Sequence, residues 1–156
     1  MASGYRPRGM YFEEFTTETC IVSAGRTITE ADLVNFAGLS GDYNLIHTDA
    51  EFAKATPMGE RIAHGMLVLS IATGLANQLG FMEGTVIAFT GLEWRFKRPV
   101  KIGDTVRVVA SVKQTKAVRS AGGGLVTLEV KVLNQRDELT QQGEWTVLVR
   151  SKPEQV

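Results

Sequence analysis

The sequence predicts an α+β domain in which an antiparallel β-sheet wraps around one long apolar helix. The helix is indicated by residues 64–80, where apolar side chains occur on nearly every helical face, a pattern typical of a helix buried in a core. The sheet is indicated by the later segments, which are rich in Val, Ile and Thr and are separated by short turn-like breaks. Short connections favour antiparallel pairing, so sheet and helix are expected to cover each other's apolar faces.

The first third of the chain is predicted to begin with a strand and a short helix. Residues 17–28 are rich in β-branched side chains and indicate a strand that Gly25 interrupts. Thr29 and Asp32 form a capping-box-like start for a helix over residues 30–39. Apolar residues recur at helical spacing in this segment, so we expect one face of the helix to be buried.

A loop over residues 42–47 is predicted next, because a Leu-Ser-Gly-Asp run ends the helical pattern. Thr48 or Asp49 then caps a second short helix that extends to about Ala55. The core helix follows. Four strands are predicted after it, at residues 86–94, 105–113, 125–133 and 144–150.

Length and composition indicate one globular domain. The chain has 156 residues, of which 44% are hydrophobic and 22% are charged. We assign the domain to residues 17–150, with a loosely ordered segment at 1–16 and a tail at 151–156. The 17 basic residues balance 17 acidic ones, so no overall positive field is available to recruit nucleic acid or anionic lipid.

Cysteine content and the lengths of apolar runs bear on location. The single Cys20 excludes an intrachain disulfide and a cysteine-based zinc site, and it is typical of a reducing compartment. No signal-peptide pattern and no run of the roughly 20 apolar residues of a membrane-spanning helix is present. A cytoplasmic protein is therefore expected.

Both histidines of the chain are placed near the start of the core helix. His47 follows Asp42 by five residues, and His64 precedes the glycine that opens the helix. An acid–base pair beside the N-terminal end of a buried helix indicates water or proton chemistry at a polarised carbonyl. The alternative is an Asx-turn carboxylate with an incidental loop histidine.

Gly65 is a candidate oxyanion donor. Its backbone N–H belongs to the first turn of the helix, where N–H groups lack helical partners and the dipole contributes partial positive charge. Because glycine has no Cβ, a ligand can approach this N–H closely, and a thioester oxygen with enolate character would be stabilised there. The alternative is that Gly65 only permits close packing of the helix on the sheet.

Three motifs occur in order along the chain. Residues 36–47 read Phe-Ala-Gly-Leu-Ser-Gly-Asp-Tyr-Asn-Leu-Ile-His, residues 64–66 read His-Gly-Met, and residues 96–104 read Phe-Lys-Arg-Pro-Val-Lys-Ile-Gly-Asp. Together they resemble the MaoC-like family of (R)-specific enoyl-CoA hydratases, or hydratase 2, which has the hot-dog fold. The resemblance extends over about residues 17–150.

The resemblance implies a hydro-lyase that adds water reversibly to trans-2-enoyl-CoA thioesters and gives (R)-3-hydroxyacyl-CoA. It implies Asp42 and His47 as a catalytic pair that holds the water, with Gly65 as the oxyanion donor. Six further residues are candidates for substrate binding: Asn44, His64, Thr73, Arg95, Lys97 and Arg98. The last three are candidates for the phosphates of coenzyme A, with solvated strand charges as the alternative.

Individual positions qualify this picture. Leu45 replaces the family's usual Pro, which frees a loop φ angle. Thr73 stands where characterised hydratases often have a Ser that bonds the catalytic Asp.

For His64 a structural role, hydrogen-bonding the preceding loop, is favoured over substrate contact. Asn44 is either a turn residue or a group that orients Asp42 or touches the thioester. The acyl pocket is expected to be lined by Leu45, Ile46, Met66, Leu69 and Thr73.

Two other functions stay open at this point. Other hot-dog proteins hydrolyse thioesters, usually with a single acidic residue and no histidine partner, and a third possibility is a subunit that binds acyl thioesters without catalysis. No metal and no redox cofactor is expected, because the chain offers no ligand set for either. Hot-dog proteins generally join two sheets edge to edge, so the resemblance implies a homodimer or a higher homo-oligomer.

Overall fold

The computed structural model describes residues 8–153 and contains four α-helices and six β-strands in that range. The helices are α1 (Glu30–Ser40), α2 (Leu45–Thr48), α3 (Ala50–Lys54) and α4 (Gly65–Gln78). The strands are β1 (Cys20–Val22), β2 (Arg26–Thr27), β3 (Val86–Phe96), β4 (Thr105–Val118), β5 (Gly123–Leu133) and β6 (Leu139–Arg150). Short 3₁₀ helices lie at Phe12–Glu14 and Arg119–Ala121.

The sheet is antiparallel in every pairing described, with strand order β1-β4-β5-β6-β3, and β2 also pairs with β4. The predicted α+β class is thus confirmed. The strand predicted at 17–28 is instead two short strands, both paired with β4. The strand β3 lies at one edge of the sheet and pairs only with β6.

The glycine run at 122–124 is one of the turn-like breaks between the predicted strands, but only its first residue belongs to a turn. Gly122 closes the turn at φ 66°, whereas Gly123 and Gly124 belong to β5 and continue the ladder with β4. A Cβ on Gly123 would lie 1.9 Å from the backbone oxygen of Val149, and one on Gly124 would lie 2.3 Å from the Phe12 ring. These two glycines therefore permit close packing at the end of the sheet.

The core lies between α4 and the inner face of the sheet. Six side chains of α4 are buried: Leu67, Val68, Leu69, Ala72, Leu75 and Ala76. They belong to one cluster with alternate residues of the central strands, including Val106, Val108, Val130, Val132 and Trp145. Among the residues described, no helix has the length and apolar composition needed to cross a membrane.

The N-terminal segment packs on this core from residue 8 onward. Phe15 is 5% exposed, and its ring meets Phe81 edge to face at a centroid distance of 6.4 Å. The prediction that residues 1–16 are loosely ordered is therefore wrong for 8–16, because apolar side chains there cover the core. The rest of that prediction falls on residues outside the described range, as does the end of the predicted tail.

The predicted capping box at the start of α1 is confirmed. The Thr29 hydroxyl accepts a hydrogen bond from the Asp32 backbone N–H at 3.3 Å, and the Asp32 carboxylate accepts one from the Thr29 N–H at 2.8 Å. Arg26 donates to the same carboxylate at 2.7 Å. Partial burial raises the pKa of Asp32, but the hydrogen bonds from Arg26 and Thr29 outweigh burial, so its pKa lies below the ordinary 3.8.

We expect Asp32→Ala to lower the free energy of unfolding by about 1 kcal/mol at neutral pH, because the cap and its partners are lost together. A carboxyl with a lowered folded-state pKa stabilises the fold above its unfolded value of 3.8, and this contribution is lost as the pH falls through the folded-state pKa. The difference between the two proteins should therefore shrink below about pH 4 in urea unfolding curves. Glu51→Ala, which removes an exposed ion pair with Lys54, is the control and should change little. A difference that grows on acidification would contradict the assignment.

Candidate active site

The loop that carries Asp42 begins where α1 ends. Gly41 takes a left-handed conformation at φ 76°, which L side chains adopt at a cost, and turns the chain away from the helix. The Asp42 carboxylate accepts a hydrogen bond from the Asn44 backbone N–H at 3.2 Å. The Asn44 side chain in turn accepts from the Ile46 N–H at 3.2 Å and caps α2. Asn44 is thus a turn residue whose backbone orients Asp42.

His47 lies on α2, so the loop predicted over residues 42–47 is shorter than expected. The Asn44 cap starts a helical turn that the sequence pattern was too short to reveal. The His47 ring is half-buried, and its Nδ1 lies 2.7 Å from the Ile62 backbone oxygen. A carbonyl oxygen only accepts, so Nδ1 carries the proton and the neutral ring keeps its lone pair on Nε2.

His64 is buried, at 2% exposure, immediately before the first residue of α4. Its Nε2 donates to the backbone oxygen of Asp42 at 2.9 Å. Its ring stacks on His47 with a centroid distance of 3.9 Å and an interplanar angle of 27°, and meets Phe36 at 5.0 Å. His64 is therefore placed against the catalytic candidates and the loop, which agrees with the structural role and leaves it outside the cavity described below.

Asp42, His47 and His64 form one cluster. A carboxylate oxygen and one nitrogen from each ring lie within 4.8 Å of one another. Two hydrogen bonds of about 2.8 Å made by one water span a similar distance, so a single water can bridge Asp42 and His47. Both of these groups are acceptors when Asp42 is ionised and His47 neutral. The water then donates one hydrogen to each and keeps its lone pairs for an electrophile.

The same three groups are poorly arranged to share a metal ion. Imidazole lone pairs lie in the ring plane, and the two stacked rings are only 27° from parallel. One ion cannot lie in both planes at the 2.0–2.1 Å or so that a Zn–N bond needs. The nitrogens that face the backbone are also engaged, by Ile62 and by Asp42. We therefore interpret the cluster as an acid–base group, and the expectation that the reaction needs no cofactor stays a prediction.

Gly65 opens α4 next to Phe96 and next to Gln141, a residue that the sequence analysis missed. The Gln141 amide donates to the Gly65 carbonyl oxygen at 3.0 Å and accepts from the Trp94 indole at 2.8 Å, so its orientation is fixed from both ends. A Cβ on Gly65 would lie 2.6 Å from the Phe96 ring. Gln141 is 2% exposed, and a glutamine at an inward position of β6 was the one signal available in the sequence.

A cavity of about 430 Å³ joins His47 to the start of α4. Its walls include Met58, Met66, Val68, Phe96 and Gln141, together with His47 and Gly65. Lys97 and Arg98 also line it, and neither side chain forms a salt bridge within the described residues. The cavity is thus largely apolar, with two cations and one member of the acid–base cluster, His47, at its boundary.

The other predicted binding residues lie apart from this cavity. Arg95 lines a separate cavity with charged neighbours on β4, β5 and β6, including Lys113 and Glu144, because side chains alternate between the two faces of β3. The Thr73 hydroxyl donates to the Ser70 backbone oxygen at 2.7 Å within its own helix. Of the expected pocket walls, only Met66 is among the residues that line this cavity, whereas Leu69 is buried in the core and Leu45 is exposed.

Comparison with known families accounts for this arrangement of residues. A sequence profile of the MaoC-like domain matches residues 12–134. The chain belongs to the MaoC-like family. The resemblance recognised in the three sequence motifs is thereby confirmed, and the profile contains the loop, the helix start and the third motif together.

Curated relatives of this MaoC-like chain include Protein MaoC and proteins with hydratase or dehydratase names. The chain is 44% identical over 118 residues to Protein MaoC of Klebsiella aerogenes, and this match covers 74% of the chain and 35% of that protein. The chain thus spans about a third of that relative's length. It is 31% identical over 147 residues to a 3-hydroxybutyryl-CoA dehydratase of Methylorubrum extorquens, covering 94% and 88% of the two. It is 36% identical over 102 residues to an (R)-specific enoyl-CoA hydratase of Rhodospirillum rubrum, covering 65% and 69%.

Solved structures confirm the hot-dog fold of the MaoC-like chain. A structure described as a monoamine oxidase regulatory protein from Archaeoglobus fulgius superposes with TM-score 0.87 at 41% identity, covering 93% and 97% of the two chains. An R-hydratase from Pseudomonas aeruginosa gives TM-score 0.78 at 30% identity, covering 92% and 88%. A double hot-dog protein from Mycobacterium tuberculosis gives TM-score 0.80 at 21% identity, covering 95% and 46%, and it bears on the fold alone.

Proposed function

We propose that this protein is a hydro-lyase that adds water reversibly to trans-2-enoyl-CoA thioesters and gives (R)-3-hydroxyacyl-CoA. The observation that carries the proposal is the spacing of Asp42 and His47: a carboxylate oxygen and a ring nitrogen lie within 4.8 Å, a separation that suits one bridging water. His47 and Gly65 line the same cavity, so that water and the start of α4 face one bound thioester.

In the proposed reaction the bridging water attacks C3 of the enoyl group. As the C3–O bond forms, one O–H bond breaks and its proton passes to the Asp42–His47 pair. The C2=C3 electron pair moves into the thioester, whose oxygen gains enolate character beside the Gly65 N–H. The pair then delivers a proton to C2, which forms the C2–H bond and restores both residues. Groups of this kind contribute about 10²–10⁴ in rate for acid–base catalysis and about 10²–10³ for an oxyanion donor.

The substrate class rests on the cavity and on the names of relatives. The apolar walls and a volume of about 430 Å³ suit a short acyl thioester. Lys97 and Arg98 at the same cavity provide cations for the phosphates of coenzyme A. Arg95 is no longer proposed for that role, because it lines a separate cavity. Relatives named as an enoyl-CoA hydratase and a 3-hydroxybutyryl-CoA dehydratase support the same class. A cytoplasmic location remains part of the proposal.

Crotonyl-CoA tests this function directly against its two alternatives. The purified protein should cause loss of the enoyl absorbance without release of free thiol. Release of thiol would instead assign hydrolysis, which the Asp42–His47 pair disfavours. Neither change, with binding of the thioester retained, would assign a non-catalytic acyl-thioester-binding subunit.

We further propose that the functional form is a homodimer joined through β3. This strand is an 11-residue sheet edge that pairs only with β6. It carries large apolar side chains that are 43–48% exposed in the single chain, namely Ile87, Phe89 and Leu92. An edge strand of this length with apolar side chains favours pairing with a second copy.

We expect Phe89→Lys to convert a particle of about twice 17.0 kDa into a monomer and to reduce activity, because it places a charge on the proposed seam. Light scattering coupled to size exclusion gives the mass, and activity is followed on dilution. Val22→Lys is the matched control, since Val22 is 53% exposed on β1 at the opposite edge of the sheet. A fully active wild-type monomer would disprove the assembly.

A further inference from the structure

We infer that His64 is a positioning residue that holds Asp42 at its working distance from His47. This inference rests on the proposed function, because it assigns a task within the same cluster. The ring touches both members of the pair without lining the cavity: Nε2 donates to the Asp42 backbone oxygen at 2.9 Å, and the face stacks on His47 at 3.9 Å.

The hydrogen bond from His64 is the long-range tether of the Asp42 loop. Asp42 and Tyr43 are exposed, and the other hydrogen bonds of this loop are local. Its backbone and side-chain bonds run to residues no more than five positions away, such as Ser40, Asn44 and Thr48. Within residues 8–153, the bond from His64 is the one that connects positions 41–44 to a distant part of the chain, across 22 residues. Without it, the hydrogen bonds described for positions 41–44 all run to residues within five positions of the loop.

The second ring nitrogen of His64, Nδ1, has no hydrogen-bond partner in the described part of the chain. This indicates that the hydrogen bond donated by Nε2 is the reason for a histidine at this position. Because Nε2 gives its proton to a carbonyl, Nδ1 is left as an acceptor, and it is buried with no hydrogen-bond partner in the described part of the chain. A buried polar atom without a partner lowers stability. A phenylalanine would stack on His47 and Phe36 without this penalty, so packing alone does not account for a histidine here.

Two substitutions separate the donor from the ring. His64→Gln keeps an N–H donor at a similar reach and loses the stacked ring, whereas His64→Phe keeps a stacked ring and loses the donor. We expect His64→Phe to lower kcat by about 10²-fold with little change in KM for crotonyl-CoA, since misplacement of a reacting group has an effect of that order. His64→Gln should recover most of that loss. Equal damage in both variants, or wild-type kcat in a folded His64→Phe protein, would overturn the inference.

A measurement without substrate tests the tether even if the protein hydrates no enoyl thioester. Amide hydrogen exchange at Tyr43 and Asn44 should accelerate in His64→Phe and stay close to wild type in His64→Gln. Leu75→Ala, a buried position of α4 away from the cluster, controls for general destabilisation of the helix and should leave the loop amides unchanged. Unchanged loop exchange in His64→Phe would overturn the tether on its own. An inactive wild-type protein would count against the proposed function only.

Discussion

Asp42→Asn and His47→Ala are each expected to lower kcat for crotonyl-CoA hydration by about 10²–10⁴-fold while the protein stays folded. Each removes one of the two acceptors that share the bridging water. Asp42 is exposed and His47 is half-buried on a one-turn helix, so neither change opens the core. Initial rates and circular dichroism of the purified variants check both parts. A variant that retained more than about a tenth of wild-type kcat would remove that residue from the pair.

Two further variants distinguish the loss of a catalytic atom from a disturbance of the local structure. His47→Asn keeps a donor near the position of Nδ1 for the Ile62 oxygen and removes only Nε2, so we expect it to be as inactive as His47→Ala. Asp49→Asn is the control for loss of a nearby carboxylate. Asp49 accepts from the backbone N–H groups of Glu51 and Phe52 and caps α3, so its loss should leave kcat close to wild type.

Gly65→Ala is expected to lower kcat by about 10²-fold and to raise KM for crotonyl-CoA much less. An oxyanion contact strengthens only as charge develops, so hindering it acts on the transition state. The structure adds a second effect, because the new Cβ would lie 2.6 Å from the Phe96 ring and would push that ring aside. Steady-state kinetics at saturating and limiting substrate separate kcat from KM.

The double variant Gly65→Ala/Phe96→Ala distinguishes the two effects. Phe96 is 56% exposed at the end of β3, and its truncation gives the new methyl group room. If the methyl group obstructs the approach of the thioester oxygen, kcat of the double variant stays as low as in Gly65→Ala. Phe96→Ala alone should act mainly on KM, because Phe96 is a wall of the cavity. Recovery of kcat in the double variant would return Gly65 to a packing role.

Features encoded by neighbouring residues were predictable from the sequence. The capping box of Thr29 and Asp32 lies within one helical turn, and the buried face of α4 follows from the spacing of apolar residues within that helix. The division of residues 17–28 into β1 and β2 was not predictable, because it depends on pairing with β4 more than 70 positions away. The extension of β5 through two glycines likewise depends on contacts with Val149 and Phe12.

The candidate site shows the same division. Asp42, His47 and Gly65 were identified because their motifs are short. The contacts that orient them are distant in sequence: Ile62 fixes the His47 tautomer, and Gln141 reaches Gly65 across 76 residues. The cations Arg95, Lys97 and Arg98 are close in sequence, but the sequence did not reveal which of them would face the cavity. Arg95 lies on the regular part of β3 and lines another cavity, whereas Lys97 follows the last residue of the strand and reaches the site.

The most direct test of the account is the reaction of the wild-type protein with crotonyl-CoA in ¹⁸O-labelled water, followed by mass spectrometry and chiral analysis of the product. Hydration by the Asp42–His47 pair predicts an intact thioester with one ¹⁸O atom in the C3 hydroxyl and the (R) configuration at that carbon. Appearance of the label in a released carboxylate, or an unlabelled and unchanged thioester, would contradict it.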